Sequence, residues 1–178
     1  MTADLRLSGK LAADLLVLTA AIAAGIHFLA ADRARELLDF GFAGVPHTVG
    51  TAVTIFANNS KILAAILAAC LAVQAGRAAA ETPATRFVYR ALTWTCDGTL
   101  LVVGSIQVLV IGAAYGAYGF RTVEATAAHG PFELAAYSSA LALYISGRCE
   151  PLALPRLVAT ATAALVLLAI GATLEAFV

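Results

Sequence analysis

The sequence predicts an all-α membrane protein: a polytopic helical bundle of about five transmembrane helices, with a short interfacial helix after the first. Three observations predict it. Of the 178 residues, 61% are hydrophobic and only 12% charged, with a mean hydropathy of +0.89. A soluble domain carries about a quarter charged residues and less than half apolar ones. The apolar residues fall in runs of about 20, which at ~1.5 Å per residue cross a hydrocarbon core about 30 Å thick. Short segments rich in Arg, Pro and Gly separate the runs, and residues 1–178 read as a single integral membrane domain. The formal net charge is zero, so no basic surface points to a nucleic-acid partner. Cys70, Cys96 and Cys149 show no CxxC spacing and read as small buried hydrophobes rather than a disulfide or zinc framework.

The chain opens on a polar stretch with Arg6 and Lys10. Residues 11–30 form the first expected span, interrupted by Asp14 and His27. Charges, an apolar run and then Ala-Ala-Asp also fit a cleaved signal peptide, but the segment is read here as a span. Residues 32–42 are charged on one side and carry Leu37, Leu38, Phe40 and Phe42 on the other, which suits a helix lying at the interface. Gly41, Gly44 and Pro46 break it. The second span covers residues 51–75, with Asn58, Asn59 and Lys61 in its first half; a re-entrant piece ahead of Asn58 is the alternative. Residues 74–90, with Arg77, Arg86, Arg90 and Pro83, read as a loop.

The third span covers residues 92–116, with Asp97 near its start, Gln107 near its middle and a Gly112/Gly116 pair at helix-packing spacing. Residues 121–127 read as a short loop. The fourth span begins at Ala128-His129-Gly130-Pro131-Phe132-Glu133 and runs to about Ser146. A proline after glycine ahead of an apolar run marks a first helical turn. His129 and Glu133, four residues apart, then share one helical face. Residues 148–156, with Pro151 and Pro155, form a loop, and the fifth span covers residues 157–174, followed by Glu175.

With the N-terminus inside, the inner loops hold Arg6, Lys10, Arg77, Arg86, Arg90, Arg148 and Arg156, and the outer side Arg33, Arg35 and Arg121: seven against three. That satisfies the positive-inside rule and predicts a cell-membrane protein with its N-terminus cytoplasmic and its C-terminus outside. The same topology puts His27, His47, Asn58, Asn59, His129 and Glu133 in one outer layer. Asp14 and Asp97 lie toward the inside, each able to pair with an arginine or cap a helix.

Ionisable side chains inside a membrane segment are costly and mark a working site. His129, Glu133, Asn58 and Asn59 are therefore the candidate catalytic residues, with His129 or Glu133 as general base and the asparagines orienting a carbonyl. The His-x-x-x-Glu spacing can place two metal ligands on one face, and His27 or His47 could supply a third. The bland reading stands beside this one. Buried amides tie membrane helices together, His27 suits a helix end, and Tyr115, Tyr118, Phe120 and Phe132 suit an aromatic belt.

Asn58-Asn59 heading one apolar segment, followed downstream by His129-Gly130-x-x-Glu133-Leu134-x-Ala136 opening another, resembles the stage II sporulation protein M family. The match covers roughly residues 55–148. Family members often carry proline ahead of the histidine, where this chain has Ala127-Ala128. The resemblance implies a membrane scaffold that holds peptidoglycan-degrading partners, or a part in maturing, cyclising or exporting a circular bacteriocin. The nine arginines against two lysines fit a high-GC genome.

Three functions are compatible with these residues. The first is a scaffold or subunit that organises membrane or envelope partner proteins, as a monomer or homo-oligomer. The second is an intramembrane peptidase or cyclase acting on a hydrophobic peptide. The third is a small transporter subunit using the polar layer as a pathway. No nucleophile elbow, phosphate loop or HExxH element occurs, and the sequence names no cofactor.

Overall fold

The structure, a computed structural model, describes residues 2–42 and 46–178; Gly44, expected to break the interfacial segment, lies outside them. Among the described residues there are seven helices and no strand: α1 (Thr2–Leu29), α2 (Ala31–Leu38), α3 (Val49–Ala78), α4 (Pro83–Tyr118), α5 (Phe120–Ala127), α6 (Gly130–Cys149) and α7 (Leu154–Phe177). Four of these contain stretches long and apolar enough to cross a membrane: Asp4–Leu29, Val49–Ala78, Pro83–Tyr118 and Leu154–Phe177. The expected fourth span, α6, is long enough at 20 residues but is not among them. Glu133, Tyr137, Ser138, Ser139, Tyr144, Ser146 and Arg148 make it too polar.

Burial explains how so polar a helix is held. The α6 helix packs against α1, α3 and α7, while α1 also lies along α4. The core joins Leu63, Ile66, Cys70 and Val73 of α3, Ala136, Ala140, Leu143 and Tyr144 of α6, and Ala164 and Leu168 of α7. Alanines at the contacts let the backbones approach closely, which is how helices gain van der Waals contact where lipid removes any hydrophobic drive between them. Many large apolar side chains of α1 and α4 point outward: Trp94, Leu101, Val102, Ile106 and Leu109 of α4 are exposed, as are Leu16, Val17 and Leu18 of α1.

Local chemistry sets the boundaries. The expected loop over residues 74–90 contracts to residues 79–82, because Thr82 and Thr85 form a reciprocal capping box and Pro83 stands in the first turn of α4. The α4 helix therefore begins nine residues before Leu92, where the hydropathy rises. The expected loop over residues 121–127 is the helix α5. Gly119 makes the corner between α4 and α5 with φ +58° and ψ −126°, a conformation that side chains disfavour. Helix α3 is continuous through Asn58, without the break that the re-entrant alternative would place ahead of it.

Gly112 and Gly116 are both buried against α1, where Ile22, Ala23 and Ile26 press on them. One end of the bundle gathers the starts of α1, α4 and α7 with the ends of α3 and α6. The other end gathers the reverse set.

Candidate functional site

At the end where α6 begins, the chain reverses from α5 through Ala128 and His129. His129 occupies the N-cap position of α6, yet its imidazole makes no capping bond. Its carbonyl is the acceptor that starts the helix, taking N–H bonds from Phe132 at 3.0 Å and Glu133 at 3.3 Å. The ring is thereby left to face other elements. Its Nε2 lies 3.9 Å from Glu175 Oε2, with side-chain exposures of 12% for His129 and 33% for Glu175.

Glu133 stands one turn on, and the Asn59 amide of α3 donates a hydrogen bond to its Oε1. Tyr137, a further turn along the same face of α6, donates to the Asn59 backbone carbonyl at 3.2 Å. The asparagine is thus gripped through both its side chain and its main chain by α6. Hydrogen bonds of this kind between membrane helices are worth roughly 0.6–1.7 kcal/mol. His129, Glu133 and Glu175 each offer a donor atom within 4.8 Å of the others. Gly171 and the neighbouring Ala172 and Ala176 bring α7 close enough for this. A Cβ at Gly171 would stand 3.4 Å from Glu133 Cγ and 3.5 Å from the His129 carbonyl.

A cleft of about 390 Å³ adjoins the cluster, with His129 and Glu175 on one side and Phe40, Phe42, Thr122 and Thr126 around it. Its wall is fixed by local bonds: Thr122 donates to the Ala114 carbonyl at 3.1 Å, and Thr126 and Tyr115 share a hydrogen bond of 2.5 Å. Phe40 and Phe42 are held beside Tyr118, whose hydroxyl accepts from the Phe40 N–H at 3.0 Å.

The other expected members of the layer face elsewhere. Asn58 is on the exposed side of α3, where its amide oxygen accepts from Lys61 at 2.8 Å; the two adjacent asparagines project about 100° apart around the helix, so only one can reach α6. His27 donates from Nδ1 to the Gly116 carbonyl at 3.3 Å and packs edge-on against Phe28, outside the His129–Glu133–Glu175 cluster. His47 donates to the Ala176 carbonyl at 2.9 Å, so it ties the connection before α3 to the end of α7. Glu175, which sequence reasoning left at a helix end, is the carboxylate that joins His129 and Glu133. The loop-charge topology already put its end of the fifth span on their side, and that was the available signal.

The opposite end is dense with ion pairs and hydrogen bonds, although Arg77 Nε and Arg156 Nε are buried there without a partner. Asp97 pairs with Arg148 at 3.1 Å and accepts from Tyr144 at 2.7 Å. Arg156 bridges Asp4 at 2.5 Å and Glu150 at 2.7 Å, and Ser146 also donates to Asp4. Gln74 spans the α6–α7 turn, donating to the Gly147 carbonyl at 2.6 Å and accepting from the Leu152 N–H at 3.0 Å. Asp97 is therefore an arginine partner here, and Asp14 pairs with Lys10 on the surface of α1. Gln107 lies on the exposed face of α4, away from both polar ends.

Comparison of the chain with protein-family models, with curated proteins and with solved structures finds no match.

Proposed function

We propose that this chain is a multi-pass membrane subunit of the stage II sporulation protein M type, which organises partner proteins in cell-envelope remodelling or in the maturation or export of a peptide. The observation that carries the reading is the hydrogen bond from Asn59 to Glu133. It joins in space the two elements, 70 residues apart and more, on which the resemblance rests. The arrangement is that of a tie between helices, with Tyr137 completing it.

In this reading α6 is a fifth crossing, shielded from lipid by α1, α3 and α7, and the N-terminus is cytoplasmic. Support comes from the clustering of Arg77, Arg148 and Arg156 with Asp4, Asp97 and Glu150 at one end of the bundle, where the positive-inside rule puts the cytoplasm. The cleft beside His129 and Glu175 favours a second reading, an intramembrane enzyme acting on a peptide. No such feature favours a transporter: Asp97 and Gln107 do not join the polar layer.

Two measurements separate the readings. Deleting the chain in its own cell displaces fluorescently tagged envelope-remodelling proteins from their membrane sites if it is a scaffold. A Glu133→Gln variant that accumulates normally restores that localisation. If instead localisation is intact in the deletion strain and an unprocessed peptide precursor accumulates there and with Glu133→Gln, the scaffold reading fails and the enzyme reading replaces it.

A further inference from the structure

We infer that His129, Glu133 and Glu175 form a binding site for one divalent transition-metal ion, zinc-like in its preferences, with one coordination position facing the cleft beside it. The inference stands apart from the scaffold reading and from the enzyme reading, since it rests only on the donor set and its surroundings.

The donors come from two helices and a helix entry: an imidazole and two carboxylates within 4.8 Å of one another. Ligands about 2.0–2.1 Å from a tetrahedral zinc stand roughly 3.3 Å apart, so the donors need to draw together by about 1.5 Å at most. One Glu133 oxygen is occupied by the Asn59 amide, which fixes the carboxylate and leaves the other oxygen free. Supporting hydrogen bonds of that kind orient metal ligands and tune affinity. The His129 imidazole is spared from helix capping and largely enclosed, with 12% side-chain exposure.

Charge points the same way. Two carboxylates share the cluster, and among the described residues no lysine or arginine pairs with either of them. The contrast with the opposite end, where arginines answer Asp4, Asp97 and Glu150, is direct. A dication would supply the missing positive charge. One nitrogen and two oxygens suit the first-row divalent ions, among which zinc binds such sites more tightly than manganese. Three protein ligands with a fourth side open to a cavity is the pattern of a reactive zinc site, whereas structural sites are closed by four. The fourth donor is a water or a carbonyl of whatever enters between Phe40, Phe42 and the threonines.

The test uses the full chain in detergent, stripped with a chelator and titrated with Zn²⁺ and separately with Mn²⁺ by calorimetry. The wild type is expected to take up one zinc per chain, more tightly than manganese. Glu175→Gln and His129→Ala should each weaken zinc binding by about 100-fold or more, and Asn59→Ala by about 10- to 100-fold, as loss of an outer hydrogen bond does. Glu124→Gln, which removes an exposed carboxylate from the same end, should leave binding unchanged. Helical content and monodisperse elution certify each variant; Glu175→Gln, a swap of equal size at a partly exposed position, carries the test if His129→Ala does not fold. Absence of zinc uptake by the wild type overturns the inference. So does wild-type affinity in folded Glu175→Gln, which would assign the uptake to surface carboxylates.

Discussion

Replacing Gly116 with alanine should loosen the α1–α4 contact by an amount the geometry sets. A Cβ at Gly116 would lie 2.5 Å from the Ala23 carbonyl oxygen, 2.8 Å from Ile26 Cβ and 2.9 Å from Ile26 Cγ2. Carbon and carbonyl oxygen settle at about 3.3–3.6 Å, so α1 must withdraw by roughly 0.8 Å at this point. The nearest obstacle is backbone, and no rotamer change relieves it. Overpacking of this kind costs about 1–3 kcal/mol, against which alanine returns about 0.5–1 kcal/mol of helix preference over glycine. The net expectation is a loss of up to about 2.5 kcal/mol. Gly104 of the same helix has nothing within 4 Å of a built Cβ, so Gly104→Ala should stabilise by about 0.5–1 kcal/mol. The assay is unfolding of the purified chain in mixed micelles of rising dodecyl sulfate fraction, followed by far-ultraviolet circular dichroism. Gly116→Ala as stable as Gly104→Ala, or more so, would refute the packing of α1 on α4.

Asn59→Ala should destabilise the bundle by about 1 kcal/mol in the same assay, the worth of an interhelical hydrogen bond in a membrane, while Asn58→Ala should be near neutral; equal effects would contradict the assignment of Asn59 alone to the α6 contact. Gly119→Ala should cost about 1–3 kcal/mol, because φ +58° with ψ −126° strains any residue with a Cβ; unchanged stability would mean that the corner adopts another conformation. Cys149 is exposed at the end of α6 and Cys70 is buried at 1% exposure, so a maleimide should label the first quickly and the second only after unfolding. In sealed native vesicles a membrane-impermeant maleimide should reach Cys149 from the cytoplasmic face alone, which also checks the orientation proposed above.

The sequence made the long helices legible because their cores are uninterrupted apolar runs. It blurred their ends, since Arg86 and Arg90 look like loop to a hydropathy profile while Thr82 and Thr85 had already started the helix. Helix α5 was hidden in the same way: eight mixed residues carry no strong periodic signal, and the packing that buries Thr122 is tertiary. In the site, His129 and Glu133 were findable from spacing and Asn59 from depth in its span. Asn58 and Asn59 could not be told apart, because two neighbours in sequence look equally buried until the helix rotation is known. Glu175 was not assigned to the site because it follows the apolar run rather than interrupting it.

The placement of α6 bears on how this protein is made. A segment carrying Glu133, Arg148, three serines and two tyrosines is a weak candidate for release into lipid by itself, since little of its length is uninterrupted apolar surface. Its neighbours α1 and α3 emerge from the ribosome earlier and can receive it, with Ser8 of α1 meeting Ser138 and Ser139 at 3.2 Å. On the five-crossing reading proposed above, α1, α3 and α4 would be in place before α6 is stepped in among them, with α7 closing the side last. On that reading, a defect in the helices that receive α6 would act first on how α6 inserts and only then on the stability of the finished bundle.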